Sequence, residues 1–233
     1  MRYDIFFISY NEPNADANYE KLKSRFPLVR RIDGIKGIHN AHILAAKQSF
    51  TKMFWVVDAD AEIVDDFNFD YEVPKWDLEC VHIWHSKNPV NDLEYGYGGV
   101  KLLPKKLTLA MNPNSVDMTT SITPNIKVIS KVSNITAFNT DEFTTWRSAF
   151  RECVKLASKV IDSKYAMETD ERLEIWAKKG NDKPFGKFAI AGAKSGKTFG
   201  YQWMGNKKML SKINDFDWLK EEFEKCLTTM STE

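Results

Sequence analysis

Met53-Phe54-Trp55-Val56-Val57-Asp58-Ala59-Asp60-Ala61-Glu62-Ile63 places five apolar residues directly before Asp-Ala-Asp. A short, continuous apolar run that ends in acidic residues is typical of a buried parallel strand. The carboxyl end of such a strand is where open α/β sheets bind their ligands. This segment therefore predicts both a central strand and a site at its end.

Asp58 and Asp60 are the first candidate site residues. In an extended chain the side chains at i and i+2 point to the same side, so the two carboxylates can converge if the chain stays extended. Two adjacent carboxylates repel each other unless a cation lies between them, and oxygen ligands suit Mg²⁺ or Mn²⁺. The alternative is a solvated acidic turn after a core strand.

The residues on the amino-terminal side of this segment predict a repeating strand–helix pattern. We expect strands at 4–10 and 28–32 and helices at 17–26 and 39–50. Three strands separated by two helices indicate stacked βαβ units in an α/β fold, a Rossmann-type mixed sheet flanked by helices.

After residue 63 the pattern is less regular. We expect strands at 80–84 and 127–132, a glycine-rich turn and strand at 94–103, and a loop at 112–127. Helices are predicted at 141–161, 168–179 and 217–227.

Residues 184–203 form a glycine-punctuated segment, in which three residues separate Gly192 from Gly196 where a P-loop needs four. We expect a loop there, with Lys194 and Lys197 able to close over a diphosphate.

Length and composition limit the class of protein. The 233 residues suit one domain. Three widely spaced cysteines imply a reducing compartment, and the longest apolar runs are too short to span a membrane, so we expect a cytoplasmic protein with no obligate protein partner. Residues 1–100 carry 11 Lys and Arg against 16 Asp and Glu, whereas residues 101–233 carry 22 against 16. An acidic metal-binding half and a basic half would suit an anionic substrate.

The first predicted strand is followed by Ser9-Tyr10-Asn11-Glu12, the second ends at Asp33, and the third ends in Asp58-Ala59-Asp60. This pattern resembles that of GT-A fold nucleotide-sugar glycosyltransferases. Two later segments, Tyr95 to Pro104 and Phe138 to Cys153, are similar to segments of glycosyltransferase-like proteins from phages and bacteria. Some phage glycosyltransferases modify hydroxymethylcytosine in DNA. The resemblance thus implies a nucleotide-sugar donor, a UDP-sugar, with hydroxymethylated DNA, a glycan or a small molecule as acceptor, and the cytoplasm of a bacterial host for a phage protein.

The resemblance also implies roles for individual residues. Ser9, Asn11 and Asp33 would contact the nucleoside, Asp58 the ribose or the metal, and Asp60 the Mn²⁺ or Mg²⁺ ion. Residues 1–104 would form the nucleotide-sugar and metal-binding half, and residues 105–233 the acceptor-side helical half. Gly98 and Gly99 would let the backbone approach the sugar, with a tight hairpin turn as the alternative. From its spacing alone, Arg147 begins a basic stripe on its helix that would meet a diphosphate or a DNA backbone. Asp141 is the first candidate for the general base of an inverting reaction and Glu152 the second. The competing role for Asp141 is to cap the helix that follows it.

Two other classes of protein compete with a glycosyltransferase. A phosphohydrolase would use Asp58 as nucleophile and Asp60 as acid, although such enzymes place Asp-x-Asp after their first strand. A nucleotide-sugar or nucleic-acid binding protein would use the same residues without catalysis.

Overall fold

A computed structural model describes residues 2–161 and 166–230, which fall into two compact units. Unit 1 comprises Met1–Asn88, Glu94–Pro113 and Met118–Ala137, and unit 2 comprises Pro89–Leu93, Asn114–Asp117 and Phe138–Glu233. Most of residues 105–137 therefore group with the first half of the chain. The prediction of a single domain stays a prediction.

Unit 1 is an α/β unit that contains all the described strands. These are β1 (Asp4–Ser9), β2 (Arg30–Asp33), β3 (Met53–Asp58), β4 (Ala61–Ile63), β5 (Val81–Lys87), β6 (Glu94–Tyr95), β7 (Val100–Pro104) and β8 (Ile126–Thr136). Its helices are α1 (Ala15–Arg25), α2 (Ile38–Gln48), α3 (Lys105–Ala110) and α4 (Met118–Ile122). The alternating strands and helices predicted up to β3 are confirmed to within a few residues, and the predicted loop at 112–127 contains α4 and the start of β8.

The strands form one mixed sheet in the order β2-β1-β3-β7-β5-β8-β4, with β6 paired to β5. The neighbours β2, β1 and β3 are parallel, whereas β7 runs antiparallel to β3. Alternate residues of β3 enter two different cores, Met53, Trp55 and Val57 on one face and Phe54 and Val56 on the other. This two-sided burial explains why the strand is continuously apolar.

Unit 2 is helical. Its helices are α5 (Glu142–Ala157), α6 (Ala166–Lys178), α7 (Gly186–Gln202), α8 (Lys207–Leu210) and α9 (Phe216–Met230). Its core includes Trp146 and Phe150 of α5, Phe188 of α7 and Phe223 of α9. None of the helices within residues 2–161 and 166–230 combines the length and apolarity needed to cross a membrane.

Helix α7 replaces the loop predicted at 184–203, and that prediction is wrong. Gly192, Gly196 and Gly200 recur every four residues and form one side of the helix, which packs against the backbone of α5. A β-carbon added at Gly196 would lie 2.3 Å from the carbonyl oxygen of Phe150. The glycines therefore permit a close approach of two helices rather than the turn of a loop.

We expect Gly196→Ala to destabilise the protein by about 3 kcal/mol, because the added methyl group forces α5 and α7 apart. Alanine otherwise stabilises a helix interior by about 1 kcal/mol relative to glycine, so the sign of the effect tests the packing. Chemical denaturation measures the change, and Lys194→Ala on the same helix serves as a control within about 0.5 kcal/mol of wild type. An unchanged or raised stability for Gly196→Ala would contradict this packing.

Candidate functional site

The candidate site lies where β3 turns into β4. Only Ala59 and Asp60 connect the two strands, and both are in a turn. The Asp58 amide donates to the Gly99 carbonyl at 2.9 Å, and the Ala137 amide donates to the Asp60 carbonyl at 2.7 Å. The ends of β3, β4, β7 and β8 therefore meet here. The extended chain that the sequence analysis required beyond Asp58 is absent from this turn, so strand alternation does not align the two carboxylates.

Lys101 of β7 pairs with Asp58 at this turn, and sequence reasoning missed it. It lies opposite Val56 in the antiparallel β3–β7 pair, which puts it on the same face of the sheet as Asp58. Its Nζ donates to both carboxylate oxygens of Asp58, at 2.8 and 2.7 Å, and to the carbonyl oxygen of Gly98. The Lys101 side chain is 3% exposed and that of Asp58 30% exposed. The three protons of the ammonium group therefore all have acceptors.

Asp60 differs from Asp58, because its surroundings disfavour a negative charge. Burial raises its pKa to about 7, and the charges of Asp58 and Glu12 act in the same direction, while Lys101 opposes them. The Glu12 carboxylate itself accepts a hydrogen bond from the Tyr10 amide at 2.7 Å. This turn thus carries more negative charge than Lys101 neutralises. The atoms here that could bind a cation are oxygens.

The oxygen ligands at this turn only partly meet the requirements of a hard divalent cation. In the described part of the chain, no group of three or more His, Cys, Asp or Glu side chains could hold a metal ion. Mg²⁺ sites often use one or two carboxylates together with substrate phosphates and water, and Asp60 can supply one of these ligands. Both oxygens of Asp58 are already bonded to Lys101. Metal binding by Asp58 and Asp60 stays a prediction, with Asp60 as its principal ligand.

Ser9 and Asp33, two of the predicted nucleoside contacts, lie together. They pair in register at the carboxyl ends of β1 and β2, and the Ser9 hydroxyl donates to Asp33 Oδ1 at 2.5 Å. The Arg31 guanidinium joins them, with Nε donating to the Ser9 hydroxyl at 2.9 Å. Asn11 lies in the exposed turn after β1, where its backbone amide donates to the Glu12 carboxylate at 3.2 Å.

The order of the strands puts Ser9 and Asp58 at the ends of adjacent strands, with their side chains on opposite faces of the sheet. From β1 the chain passes to β2 on one side and then returns to β3 on the other side of β1. Ile8, beside Ser9, pairs with Asp58 in the parallel β1–β3 ladder. Such a reversal leaves a crevice outside the carboxyl ends of the two strands, and ligands of open α/β sheets bind in that crevice.

Gly98 and Gly99 lie in the bend directly before β7. Gly98 has a φ of 98°, which favours glycine. A β-carbon on Gly99 would lie 2.6 Å from the side-chain nitrogen of Asn134, a fully buried residue. The Asn134 oxygen accepts hydrogen bonds from Ser86 and Ser133. Packing against this buried polar group requires Gly99, and close approach of a sugar to the turn stays a prediction.

Asp141, the first candidate base, is the N-cap residue of α5 in unit 2. Its Oδ1 accepts from the Thr144 amide at 2.7 Å, and the Thr140 hydroxyl lies 3.2 Å from Oδ2. Partial burial acts to raise the pKa of Asp141, but the hydrogen bonds from Thr144 and Thr140 and the charge of Arg147 hold it below its usual range. A carboxylate with a lowered pKa is ionised at neutral pH but is a weak base. Capping explains its position, and the catalytic role stays a prediction.

Glu152 and Arg147 lie on α5 with different surroundings. Glu152 is 3% exposed, and its Oε2 lies 3.2 Å from the Lys155 ammonium. Burial acts to lower the pKa of Lys155, but Glu152 and Asp117 raise it above its ordinary value. The Arg147 guanidinium stacks 4.5 Å from the ring centre of Phe216. The roles predicted for Glu152 as base and for Arg147 as diphosphate ligand stay predictions.

Lys194 and Lys197 lie on α7, so they cannot form the predicted phosphate-binding loop. The Lys197 ammonium pairs with Glu174 Oε1 of α6 at 2.6 Å, whereas Lys194 is exposed. Lys197 is therefore engaged within the fold, whereas Lys194 faces solvent.

Comparison with known proteins adds no family. No protein-family model matches the chain, and a search of curated proteins finds no match.

The Lys101–Asp58 pair yields a prediction about stability. Asp58→Asn leaves the Lys101 ammonium buried without a counter-ion, which costs about 3–5 kcal/mol. Lys101→Met should cost less, because Asp58 is 30% exposed and can stay hydrated. The double variant should recover part of the loss, with a coupling energy of about 1–3 kcal/mol in chemical denaturation. Asp65→Asn, an exposed acid after β4, is the control, and strictly additive losses would contradict the pairing.

The raised pKa of Asp60 predicts how stability changes with pH. A carboxyl whose pKa is about 7 in the fold, against an ordinary value of 3.8, binds a proton more tightly when folded. Its contribution to stability is therefore greatest below pH 4 and is lost as the pH rises toward 7. The difference in unfolding free energy between wild type and Asp60→Asn, measured at pH 4.5, 6 and 8, should shift steadily against wild type. A constant difference would mean that Asp60 titrates normally.

Proposed function

We propose that this protein is a glycosyltransferase that moves a sugar from a nucleotide sugar, a UDP-sugar, to a hydroxyl acceptor. One observation carries the proposal. Ser9, Asp33 and Asp58 are the last residues of the parallel strands β1, β2 and β3, and Asp60 lies in the turn after β3, around the point where the strand order reverses. A hydroxyl, three carboxylates and an adjacent guanidinium are suited to a polar ligand with both hydroxyl groups and phosphate.

The residues of this site have separable roles in the proposal. Asp33, held by Ser9 and Arg31, accepts hydrogen bonds from the nucleoside. Asp58, held by Lys101, accepts a hydrogen bond from a ribose hydroxyl. Asp60 would hold Mn²⁺ or Mg²⁺ beside the diphosphate, and such an ion would stabilise the negative charge that develops on the leaving phosphate.

The acceptor half of the proposal follows from the resemblance. Hydroxymethylcytosine in DNA is the acceptor to test first, and a glycan or a small molecule is the alternative. An inverting reaction needs a base for the acceptor hydroxyl, and Asp141 and Glu152 are its candidates. A phosphohydrolase is less well supported, because a nucleophilic Asp58 would have to leave the Lys101 ammonium that binds both of its oxygens.

We expect a UDP-sugar with Mn²⁺ to raise the melting temperature by roughly 5–10 °C. A ligand at about 100 times its dissociation constant adds about 2.7 kcal/mol to the stability of the folded state, and for a chain of this length each kcal/mol is about 2–4 °C. Differential scanning fluorimetry with UDP- and GDP-sugars, with and without Mn²⁺, measures the shift. Asp60→Asn should abolish its metal dependence, whereas Asp65→Asn should behave as wild type.

Two outcomes would overturn parts of this proposal. If no nucleotide shifts the melting temperature under any metal condition, the donor site does not exist. If a nucleotide sugar binds but mass spectrometry detects no transfer to hydroxymethylated DNA, glycans or small hydroxyl compounds, the protein is a binding protein. Asp141→Asn and Glu152→Gln, assayed with the donor that binds, then decide which residue is the base.

A further inference from the structure

The segment that begins at the last residue of α6 is strongly basic. Residues 178–212 contain nine lysines and a single acidic residue, Asp182. The helix α7 lies at the centre of this segment. Where its lysines point decides whether the charge is used inside the fold or presented to a partner.

The glycine side of α7 determines which side faces solvent. Gly192, Gly196 and Gly200 pack against α5, so the opposite side of the helix points outward. Lys187, Lys194 and Tyr201 are spaced seven residues apart, which places them in one row on that outward side. All three are exposed, and Tyr201 is 46% exposed. We call this row the α7 outer face.

The charge of the α7 outer face is uncompensated. Lys197, on the flank of the helix, pairs with Glu174 at 2.6 Å. By contrast, no carboxylate within residues 2–161 and 166–230 forms a salt bridge with Lys187 or Lys194. The Lys187 ammonium lies 4.8 Å from the ring centre of Phe188, a contact that leaves its charge unneutralised. Two exposed lysines without a carboxylate partner are suited to a negatively charged ligand.

Further lysines continue the charge beyond both ends of α7. Lys179 and Lys183 precede the helix, and Lys207 and Lys208 follow it in α8. A helix of 17 residues is about 25 Å long, which matches roughly seven nucleotide steps of 3.4 Å. The exposed ring of Tyr201 lies in line with the lysines. Basic side chains interleaved with exposed aromatic rings are what proteins use to hold single-stranded nucleic acid.

We propose that the α7 outer face binds nucleic acid, with Lys187 and Lys194 on phosphates and Tyr201 stacked on an unpaired base. This deepens the proposed function, since it names a polymer that would carry the acceptor hydroxyl. Binding at α7 requires no donor or transfer, so the two proposals can fail separately.

The test is fluorescence anisotropy with labelled 20-nucleotide single strands and duplexes, without nucleotide sugar, across a series of salt concentrations. Lys187→Glu/Lys194→Glu should weaken binding at least tenfold at low salt. It should also reduce the slope of log affinity against log salt by about 1.4 for single strands and 1.8 for duplexes, the release expected for two phosphate contacts. Tyr201→Ala should weaken single-strand binding about fivefold or more and leave duplex binding unchanged.

The control Lys47→Glu/Lys220→Glu makes the same change in net charge at exposed positions on α2 and α9. It should bind nucleic acid as wild type does. Equal losses of affinity in both double variants would mean that net charge alone causes the effect, which would overturn the proposal. Binding that is absent in wild type, or that is stronger to heparin or to phosphatidylserine vesicles than to nucleic acid, would overturn it as well. Circular dichroism of each variant establishes that α7 is still folded.

Discussion

The two-residue connection between β3 and β4 is the constraint on which the candidate site depends. Strand β3 lies inside the sheet, whereas β4 lies at the far end of the order β3-β7-β5-β8-β4. Because Ala59 and Asp60 alone join them, the sheet has to curl until its β8 edge reaches the end of β3. The curl explains why Asn134 of β8 lies against Gly99 and why the Ala137 amide bonds to Asp60. The acids are thus held by backbone geometry and not by a flexible loop.

The charges at this turn explain why its two aspartates differ. Asp58 faces a buried ammonium group that bonds to both of its oxygens, so its negative charge is matched inside the fold. Asp60 is buried beside Asp58 and Glu12, and its pKa rises mainly because of this burial and then because of the two neighbouring charges. His42, on α2, cannot add a second positive charge, since its burial and the nearby Lys101 hold its pKa well below its ordinary value. One aspartate therefore suits a neutral hydroxyl donor, and the other suits a proton or a cation.

Much of unit 1 was predictable from the sequence, and the physical reason is local. The strand β3 is buried on both faces, so an uninterrupted apolar run identified it, and the acids at its end marked the turn. Lys101 was missed because a lysine in a strand is usually solvent-facing. The signal was its position in an otherwise apolar strand, Val100 to Pro104, where a lysine needs a counter-ion. The pairing of strands that lie far apart in the sequence cannot be predicted from local patterns.

The error at α7 shows how one residue type can support opposite structures. Glycine favours turns because it lacks a side chain, and the same lack lets two helices approach closely. Spacing separates the two cases, because Gly192, Gly196 and Gly200 recur every four residues and form one helical face. A helix with glycine on its inward side is fixed in its rotation about its own axis, since other orientations would bring larger side chains against the α5 backbone. The packing of α5 and α7 therefore determines that Lys187 and Lys194 face solvent, and the charge presented there follows from the core.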